Sequence, residues 1–520
     1  MSEKFTITID GRRVEVHPGQ SILAAARKLA IDIPTLCYLE QCGPLNTCQV
    51  CLVKLNGKLV PSCGTKATPG MVIESETTEV HEARRTALEL LFSDHVGDCL
   101  SPCQRLCPLQ LNIPALLRQI EAGRWDDAIV SVRQALPLAG VLGRLCHHPC
   151  EQGCRRGNWD SPAAIRDLER FITDENFKQA VPYTPLRKPA TNQSVLIIGA
   201  GPTGLAAAFD LSREGHQVTV VDRRKQAGGT LRDTPEAQLP ASVLDAELAL
   251  LQKLGVAFKL GVTLGNELRL EGLARGFDAI LLAIGELGQA EAGALGLPLA
   301  GNCIQADPNT CQTPLAKVFA AGSAVRVQKQ LVKAMAEGRA AAECVQRFLR
   351  GQPVRRPEKP FSSIMGRLDA GELRQFLRSA SASGAVSPCD RCAGHSRAEA
   401  AQEAARCLHC DCPSSGNCVL QHYAQVYGAD ASRFRSERRE FDQQVQPGGI
   451  IFEPGKCILC GICVKLTEPA AEPLGLTFIG RGFEVKVSAP FGQNLQAGLQ
   501  KVGAECVKHC PTGALGFAPK

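Results

Sequence analysis

Apolar and polar residues alternate over Phe5–Ile9 and Val14–Val16, on either side of Asp10-Gly11. Period-two patterning around an Asp-Gly pair predicts a β-hairpin. Ser21 then stands where a helix N-cap belongs, ahead of the helical stretch ILAAARKLA. Asn56-Gly57 turns a second hairpin. Helical spacing follows over Glu82–Phe92 and again over LNIPALLRQIEAGRWDDAI. From Ser194 to Arg223 the pattern reads strand, glycine turn, helix, strand and acidic residue: SVLIIGAGPTGLAAAFDLSREGHQVTVVDR. Later apolar runs predict strands over Phe277–Gly285 and Val318–Gly322 and a helix over Leu331–Leu349. GQPVRRPEKP is a linker by composition, and helices are expected at Asp369–Ser379 and Arg397–Leu408.

The chain is 520 residues long, which implies several domains. The net charge of +6 comes with no long basic run, and aromatic content of 5% leaves few stacking platforms, so nucleic acid is not the expected partner. No apolar run of membrane-spanning length is present, and the polar, alternating start MSEKFTITID is unlike a signal peptide. Cytoplasmic location is therefore expected. Cysteine changes the picture. Of 25 cysteines, five lie in 37–63, six in 99–154 and eleven in 389–510, leaving only Cys303, Cys311 and Cys344 between. Thiols clustered in a reducing compartment point to metal ligands rather than disulfides. The three isolated ones read as core cysteines.

Cys37, Cys48, Cys51 and Cys63 are spaced C-x10-C-x2-C-x11-C, a loop able to wrap a compact two-iron body, with Cys42 to spare and zinc the alternative. This segment resembles the β-grasp [2Fe–2S] domain that opens the large electron-transfer subunit of complex I and of NAD-linked hydrogenases and formate dehydrogenases. His95, Cys99, Cys103 and Cys107 are each four apart, as are Cys146, Cys150 and Cys154. With Cys107-Pro108 and the intervening helix, this stretch is similar to the N-terminal domain of the glutamate synthase small subunit and dihydropyrimidine dehydrogenase. That resemblance implies one [4Fe–4S] cluster on Cys107, Cys146, Cys150 and Cys154. A second cluster on His95, Cys99, Cys103 and an unidentified fourth ligand is the further reading; the alternative is a surface histidine beside two non-ligand thiols. RCLHCDCPSSGNC supplies Cys407, Cys410, Cys412 and Cys418 for another [4Fe–4S] cluster. Its rival is a pair of C-x2-C knuckles, Cys389/Cys392 with Cys407/Cys410, holding zinc or one iron. Finally Cys457, Cys460 and Cys463 form a C-x2-C-x2-C loop. The following segment resembles the complex I large subunit, which implies Cys510, before Pro511, as fourth ligand, with Cys506 the alternative. Thr467 stands where a further cluster's cysteine would be.

Gly199, Gly201 and Gly204, with Pro202 and Thr203 between, form G-x-G-x-x-G between strand and helix, and Asp222 ends the next strand beside Arg223. Such glycines permit a tight turn and close backbone approach to a pyrophosphate at a helix N-terminus, while the acid accepts ribose hydroxyls. Gly228-Gly229-Thr230-Leu231 falls where the glutamate synthase family has its second glycine segment, and the strands ending at Gly285 and Gly322 match that family's FAD landmarks. The resemblance implies FAD, although Ser323 replaces the family's aspartate; an empty Rossmann-like scaffold is the alternative. Relatives carry an NAD(P)-binding domain between those landmarks, where this chain has only residues 286–317 and no second fingerprint.

The expected class is multidomain α/β and α+β: a β-grasp [2Fe–2S] domain at 1–80, a helical [4Fe–4S] domain at 81–190, a Rossmann-like FAD domain lacking the NAD(P) domain at 191–350, a cysteine-rich segment at 351–445 and a ferredoxin-like [4Fe–4S] region at 446–520. The cofactors implied are FAD, one [2Fe–2S] and two to four [4Fe–4S] clusters. No catalytic acid–base pair stands out. The expected function is an electron-transfer subunit of a hetero-oligomer. It would link a complex I-type NADH-oxidising flavoprotein subunit to a metal-containing catalytic subunit, formate dehydrogenase- or hydrogenase-like, with flavin-based bifurcation a possible extension. The alternatives are a stand-alone NAD(P)H-dependent oxidoreductase like the glutamate synthase small subunit, and a scaffold that binds metal only to fold.

Overall fold

The computed structural model describes residues 3–263, 270–287, 297–390, 392–446 and 448–518. The chain forms two compact units that interleave in sequence. The first comprises Met1–Ser101, Pro360–Arg378 and Cys410–Lys520, and the second Pro102–Lys359 and Ser379–His409.

In the first unit, the opening hairpin pairs Phe5–Ile9 with Arg12–Val16, placing Phe5 opposite Val16 and Ile7 opposite Val14. Asp10 and Gly11 take φ of 48° and 76°, as the tight turn requires. Phe5–Ile9 also runs parallel to Val72–Glu74, and the sheet continues through Leu52–Leu55 and Lys58–Pro61. Ile7, Ile9, Val16, Val53 and Ile73 bury one face against the helix Ile22–Lys28, whose cap is Ser21, its Oγ accepting from Ala24 N at 3.2 Å.

The next helix is Thr78–Leu91, starting four residues before the sequence-based expectation because Thr77 caps it. It stays with this unit: Arg84, fully buried, donates to Leu52 O at 2.9 Å and to Tyr427 Oη at 2.8 Å. One boundary between the two units falls at Ser101–Pro102. The C-terminal part has an antiparallel sheet of Gln444–Val445, Ile450–Phe452 and Leu515–Phe517, with helices Ile462–Thr467 and Gly503–His509. The helix Ala370–Leu377 is fastened there by Glu372, which accepts from Arg438 Nη2 at 2.7 Å and from Phe441 N at 2.9 Å, and by the stacked rings of Phe376 and Phe441.

The second unit joins a helical layer to a parallel sheet. The helices are Ile113–Glu121, Trp125–Ala135, Ala139–Leu145 and Ile165–Phe177. The sheet order is Ala257–Leu260, Gln217–Asp222, Ser194–Ile198, Ala279–Leu282 and Val318–Ala320, all parallel. Its central strands carry unbroken apolar runs, Val195–Ile198 and Ala279–Leu282, as expected when both faces are covered. Pro202–Arg213 and Leu331–Leu349 pack closely at Gly338, where a side chain would collide with Thr203 O. Helices and sheet are linked by a buried ion pair: Arg133 Nη1 donates to Glu247 Oε2 at 2.5 Å, both side chains at most 1% exposed. Among the described residues, the connection from Leu282 to Val318 carries one two-stranded pair, Leu299–Ala300 with Cys303–Ile304. Residues 288–296 of that connection lie outside the described residues. No single described helix is long and apolar enough to cross a membrane.

The helix Arg397–Ala404 ends before the expected Leu408 because Arg406 turns inward. The Arg406 guanidinium donates to Glu403, Asp160 and the Ser161 carbonyl, and Arg156 binds Asp160 beside it. Arg406 and Glu403 are fully buried. Replacing one member of such a network strands the other charges. Arg406→Leu is expected to destabilise this unit by about 3–5 kcal/mol, read as lost hydrogen-exchange protection over 397–406. Glu372 provides a pH test. Arg438 holds its carboxyl down, to about 2, against the opposing effect of burial. A depressed folded value contributes stability above the unfolded pKa of about 4.3, lost as pH falls through the folded value. The stability gap between wild type and Glu372→Gln should therefore close as denaturation is measured from about pH 6 down to about pH 2.

Candidate cofactor sites

The loop between the two hairpins and the turn after the second bring four buried thiols together. Cys51 Sγ lies 3.3 Å from Cys63 Sγ, and Cys63 Sγ lies 3.3 Å from Asn46 Oδ1. Cys37 hydrogen bonds with both Cys48 and Cys63; the shared protons pull Cys37 and Cys51 down and push Cys48 and Cys63 up. Asn46 and Gln49 hold left-handed backbone, which lets the loop curl around its own sulfurs. Cys42 is only half-buried and is not among these thiols' hydrogen-bond partners. Four thiols without competing bases are the donor set of a [2Fe–2S] centre.

The C-terminal set lies in the same unit. One cavity is lined by Cys457, Cys460, Cys463 and Cys510 with Phe452 and Leu476. Burial pushes the Cys457 thiol up to about 12, and Cys463 rises well above its ordinary value, also chiefly by burial. Cys506 lies outside that lining, with its Sγ 3.9 Å from Cys463 O. This cavity sits beside the first thiol group: Leu45 Cδ1 comes within 3.4 Å of where a Cβ on Gly461 would stand, and Cys37 is an electrostatic neighbour of Cys460.

In the second unit, Cys107, Cys146 and Cys150 line another cavity. The fourth titratable side chain there is Glu169, not Cys154. Cys154 closes the turn after Pro149–Gln152, its N–H donating to Glu151 O at 3.1 Å, and the chain leaves into the 3-10 turn Arg155–Asn158. Glu169 is 5% exposed, and burial raises its carboxyl to about 8. Sequence reasoning missed it, although a signal existed. On Ile165–Phe177 it shares the buried stripe with Ile165, Leu168 and Ile172, where a glutamate is out of place.

Two other predicted sets divide between the units. His95 and Cys99 fall in the first and Cys103 in the second; Cys407 falls in the second and Cys410, Cys412 and Cys418 in the first. His95 is half-buried, and the desolvation of its ring lowers the imidazole to about 3. Cys389 and Cys392 are exposed, whereas Cys407 packs into the core. The core reading of Cys311 and Cys344 is met: both are buried and hydrogen-bonded to each other. Cys303 is half-buried in its strand. Among the described residues no three His, Cys, Asp or Glu side chains meet the geometry of a single bound ion. Cluster ligands surround a body several atoms across and need not do so.

The nucleotide fingerprint lies at the carboxyl ends of the parallel strands. Gly199 has φ 112°, and a Cβ there would strike Ala283 O; one on Gly204 would strike Gly199 O. A Cβ on Gly201 meets nothing within 4 Å. That space is the cradle a pyrophosphate needs, so these residues fit a dinucleotide. Gly229 closes against Gly201, and Gly322 packs against Thr203. Asp222 accepts from Ala200 N and Arg224 N, both at 2.7 Å, shaping the loop and keeping further lone pairs for ribose hydroxyls. Thr203 donates instead to Ala334 O at 3.0 Å, fastening the long helix. Ser323 Oγ accepts from Gln328 N at 3.1 Å. Gly285 is left-handed with open space around it; Leu231 is buried; Arg223 and Thr230 are exposed.

The folds and thiol sets define an oxidoreductase-class chain with iron–sulfur and FAD-type domains, and comparison with known families agrees. Residues 2–78 match a 2Fe-2S iron-sulfur cluster binding domain, 74–181 the dihydropyrimidine dehydrogenase domain II with a 4Fe-4S cluster, and 164–338 a pyridine nucleotide-disulphide oxidoreductase domain. Its homologues include the NADP(+)-dependent formate dehydrogenase subunit beta of Moorella thermoacetica, 38% identical over 36% of this chain and 29% of that protein. The glutamate synthase [NADPH] small chain of Mycobacterium tuberculosis is 39% identical over 36% of this chain and 39% of its own length. The Escherichia coli NAD-dependent dihydropyrimidine dehydrogenase subunit PreT is 37% identical over 38% and 49%. The chain thus spans less than half the length of these curated relatives. A solved NAD+-reducing [NiFe]-hydrogenase aligns over 99% of this chain and 87% of its own, at 13% identity and a TM-score of 0.35.

The glycines give a graded test. Gly201→Ala should fold like the wild type yet lose most of its flavin, whereas Gly204→Ala should lose flavin together with thermal stability; flavin absorbance per chain and melting temperature separate the two.

Proposed function

We propose that this chain is an electron-transfer subunit of a multisubunit oxidoreductase. The observation that carries this reading is the adjacency of two thiol sets in one compact unit, the Cys37 group and the cavity lined by Cys457, Cys460, Cys463 and Cys510. Bound clusters supply one-electron transfer and a bound flavin two-electron transfer. Cys37, Cys48, Cys51 and Cys63 hold a [2Fe–2S] cluster in a β-grasp domain. Cys457, Cys460, Cys463 and Cys510 hold a [4Fe–4S] cluster in a ferredoxin-like region. Cys107, Cys146, Cys150 and Glu169 hold another, and Gly199–Gly204 seat FAD. Apolar neighbours such as Phe452 and Leu476 keep water from the C-terminal sulfurs.

The reading includes no NAD(P) domain, because only residues 286–317 separate the strands that carry the two FAD landmarks. The chain then depends on partners in a hetero-oligomer. They are a complex I-type NADH-oxidising flavoprotein subunit and a metal-containing catalytic subunit of the formate dehydrogenase or hydrogenase kind. The first is argued from the resemblance of both chain ends to the complex I large subunit. The second accords with the formate dehydrogenase beta relative. Thiols kept reduced as cluster ligands rather than paired in disulfides need a reducing compartment, which favours the cytoplasm.

A second reading is favoured by the likeness to glutamate synthase small chain: a stand-alone NAD(P)H-dependent oxidoreductase. Anaerobic purification with iron, sulfide and flavin analysis tests both. The relay reading expects FAD and clusters that neither NADH nor NADPH bleaches until a flavoprotein partner is added. Bleaching of the isolated chain by NADPH would install the second reading, and zinc without acid-labile sulfide would sink both. Glu169→Ala should lose about four irons per chain, while Cys154→Ser should keep them.

A further inference from the structure

Three cysteines of the first unit that sequence spacing assigned to two different clusters converge on one buried place. Cys99 is 7% exposed; its Sγ is 3.2 Å from Ser363 Oγ and accepts from Ser363 N at 3.4 Å. The backbone around it is pinned to the 3-10 turn Pro454–Lys456, which follows the strand Ile450–Phe452, by Val96 N donating to Gly455 O at 2.8 Å. Lys456, the next residue, is 3% exposed and lays its side chain across Gly97, where no Cβ could stand. Its Cδ also lies 3.6 Å from where a Cβ on Gly513 would be, and that same position is occupied by Cys412 Sγ. Cys418 Sγ lies 3.7 Å from Pro511 O, on the same turn as Gly513. Cys412 and Cys99 are both electrostatic neighbours of Cys418 and of Lys456, and Lys456 is one of His95.

We propose that Cys99, Cys412 and Cys418 hold one iron–sulfur cluster, with His95 as the fourth ligand, beside the buried Lys456–Glu453 ion pair. The assignment rests on the iron–sulfur reading above and redraws two of its ligand sets. His95 precedes Cys99 by four residues, and the Lys456 charge acts on its imidazole. A neutral imidazole in place of a thiolate takes one negative charge out of a buried site. The Lys456 ammonium stabilises the remaining thiolates. Glycine at 97 and 513 is required because the lysine and the Cys412 sulfur occupy the space a side chain would need.

The test is additivity of iron loss in the full chain, purified anaerobically. The variants are Cys99→Ser, Cys412→Ser and the double variant. Each single should lose about four irons and matching sulfide, and the double should lose the same four. A loss of about eight in the double, or none in either single, overturns the assignment. The electron paramagnetic resonance signal of the Cys37 [2Fe–2S] centre counts folded chains, so loss is read per folded molecule. His95→Cys should keep the iron while moving one cluster's g values and lowering its midpoint potential; an unchanged spectrum removes His95 from the set. Wild-type chain with zinc or no sulfide would instead overturn the function proposed above, whereas normal iron content with additive losses overturns only this grouping.

Discussion

Grouping thiolates inside a protein, away from water, is the constraint on which this structure turns. Burial alone drives each thiol toward its protonated form, as it does at Cys107 and Cys457. A ligand set is therefore a cost until metal charge or a buried cation offsets it. The fold meets that cost by rigidity. Fully buried arginines fix helices and loops that carry or flank the cysteines: Arg156 and Arg406 each bind several backbone carbonyls and carboxylates, and Arg84 binds Leu52 O and Tyr427 Oη. Lys456 plays the complementary part, a cation enclosed among sulfurs.

The flavin-type sheet obeys a different constraint, one of space rather than charge. Gly199 and Gly204 have no room for a side chain because neighbouring carbonyls occupy it, whereas Gly201 has room that the protein itself does not use. The first two hold the turn, and the third leaves a surface for a phosphate. Asp222 and Thr203 spend hydrogen bonds on the loop and the long helix, so part of the fingerprint is structural and only part faces a ligand.

Local chemistry was readable in the chain. The Asp10-Gly11 and Asn56-Gly57 turns, the Ser21 cap and the helix Leu331–Leu349 occur where the pattern places them, since each depends on neighbours a few residues away. The errors lie where a distant residue intervenes. Thr77 starts its helix early, and the inward turn of Arg406 ends another before Leu408. Glu169 escaped notice because a single charge on a helix reads as solvent-facing until the opposite helices enclose it.

Sequence alone grouped the thiols that lie close along the chain, as at Cys48 and Cys51 and at Cys457–Cys463, because there the backbone between them limits their separation. It also determined the glycine fingerprint, whose stereochemistry is local. Tertiary structure alone decided which sulfurs from separate segments become neighbours. Cys99 and Cys412 are more than three hundred residues apart, and no spacing rule connects them. They meet because Val96 pairs with Gly455 and Lys456 fills the space left by two glycines, a matter of packing between strands and loops that periodicity does not encode.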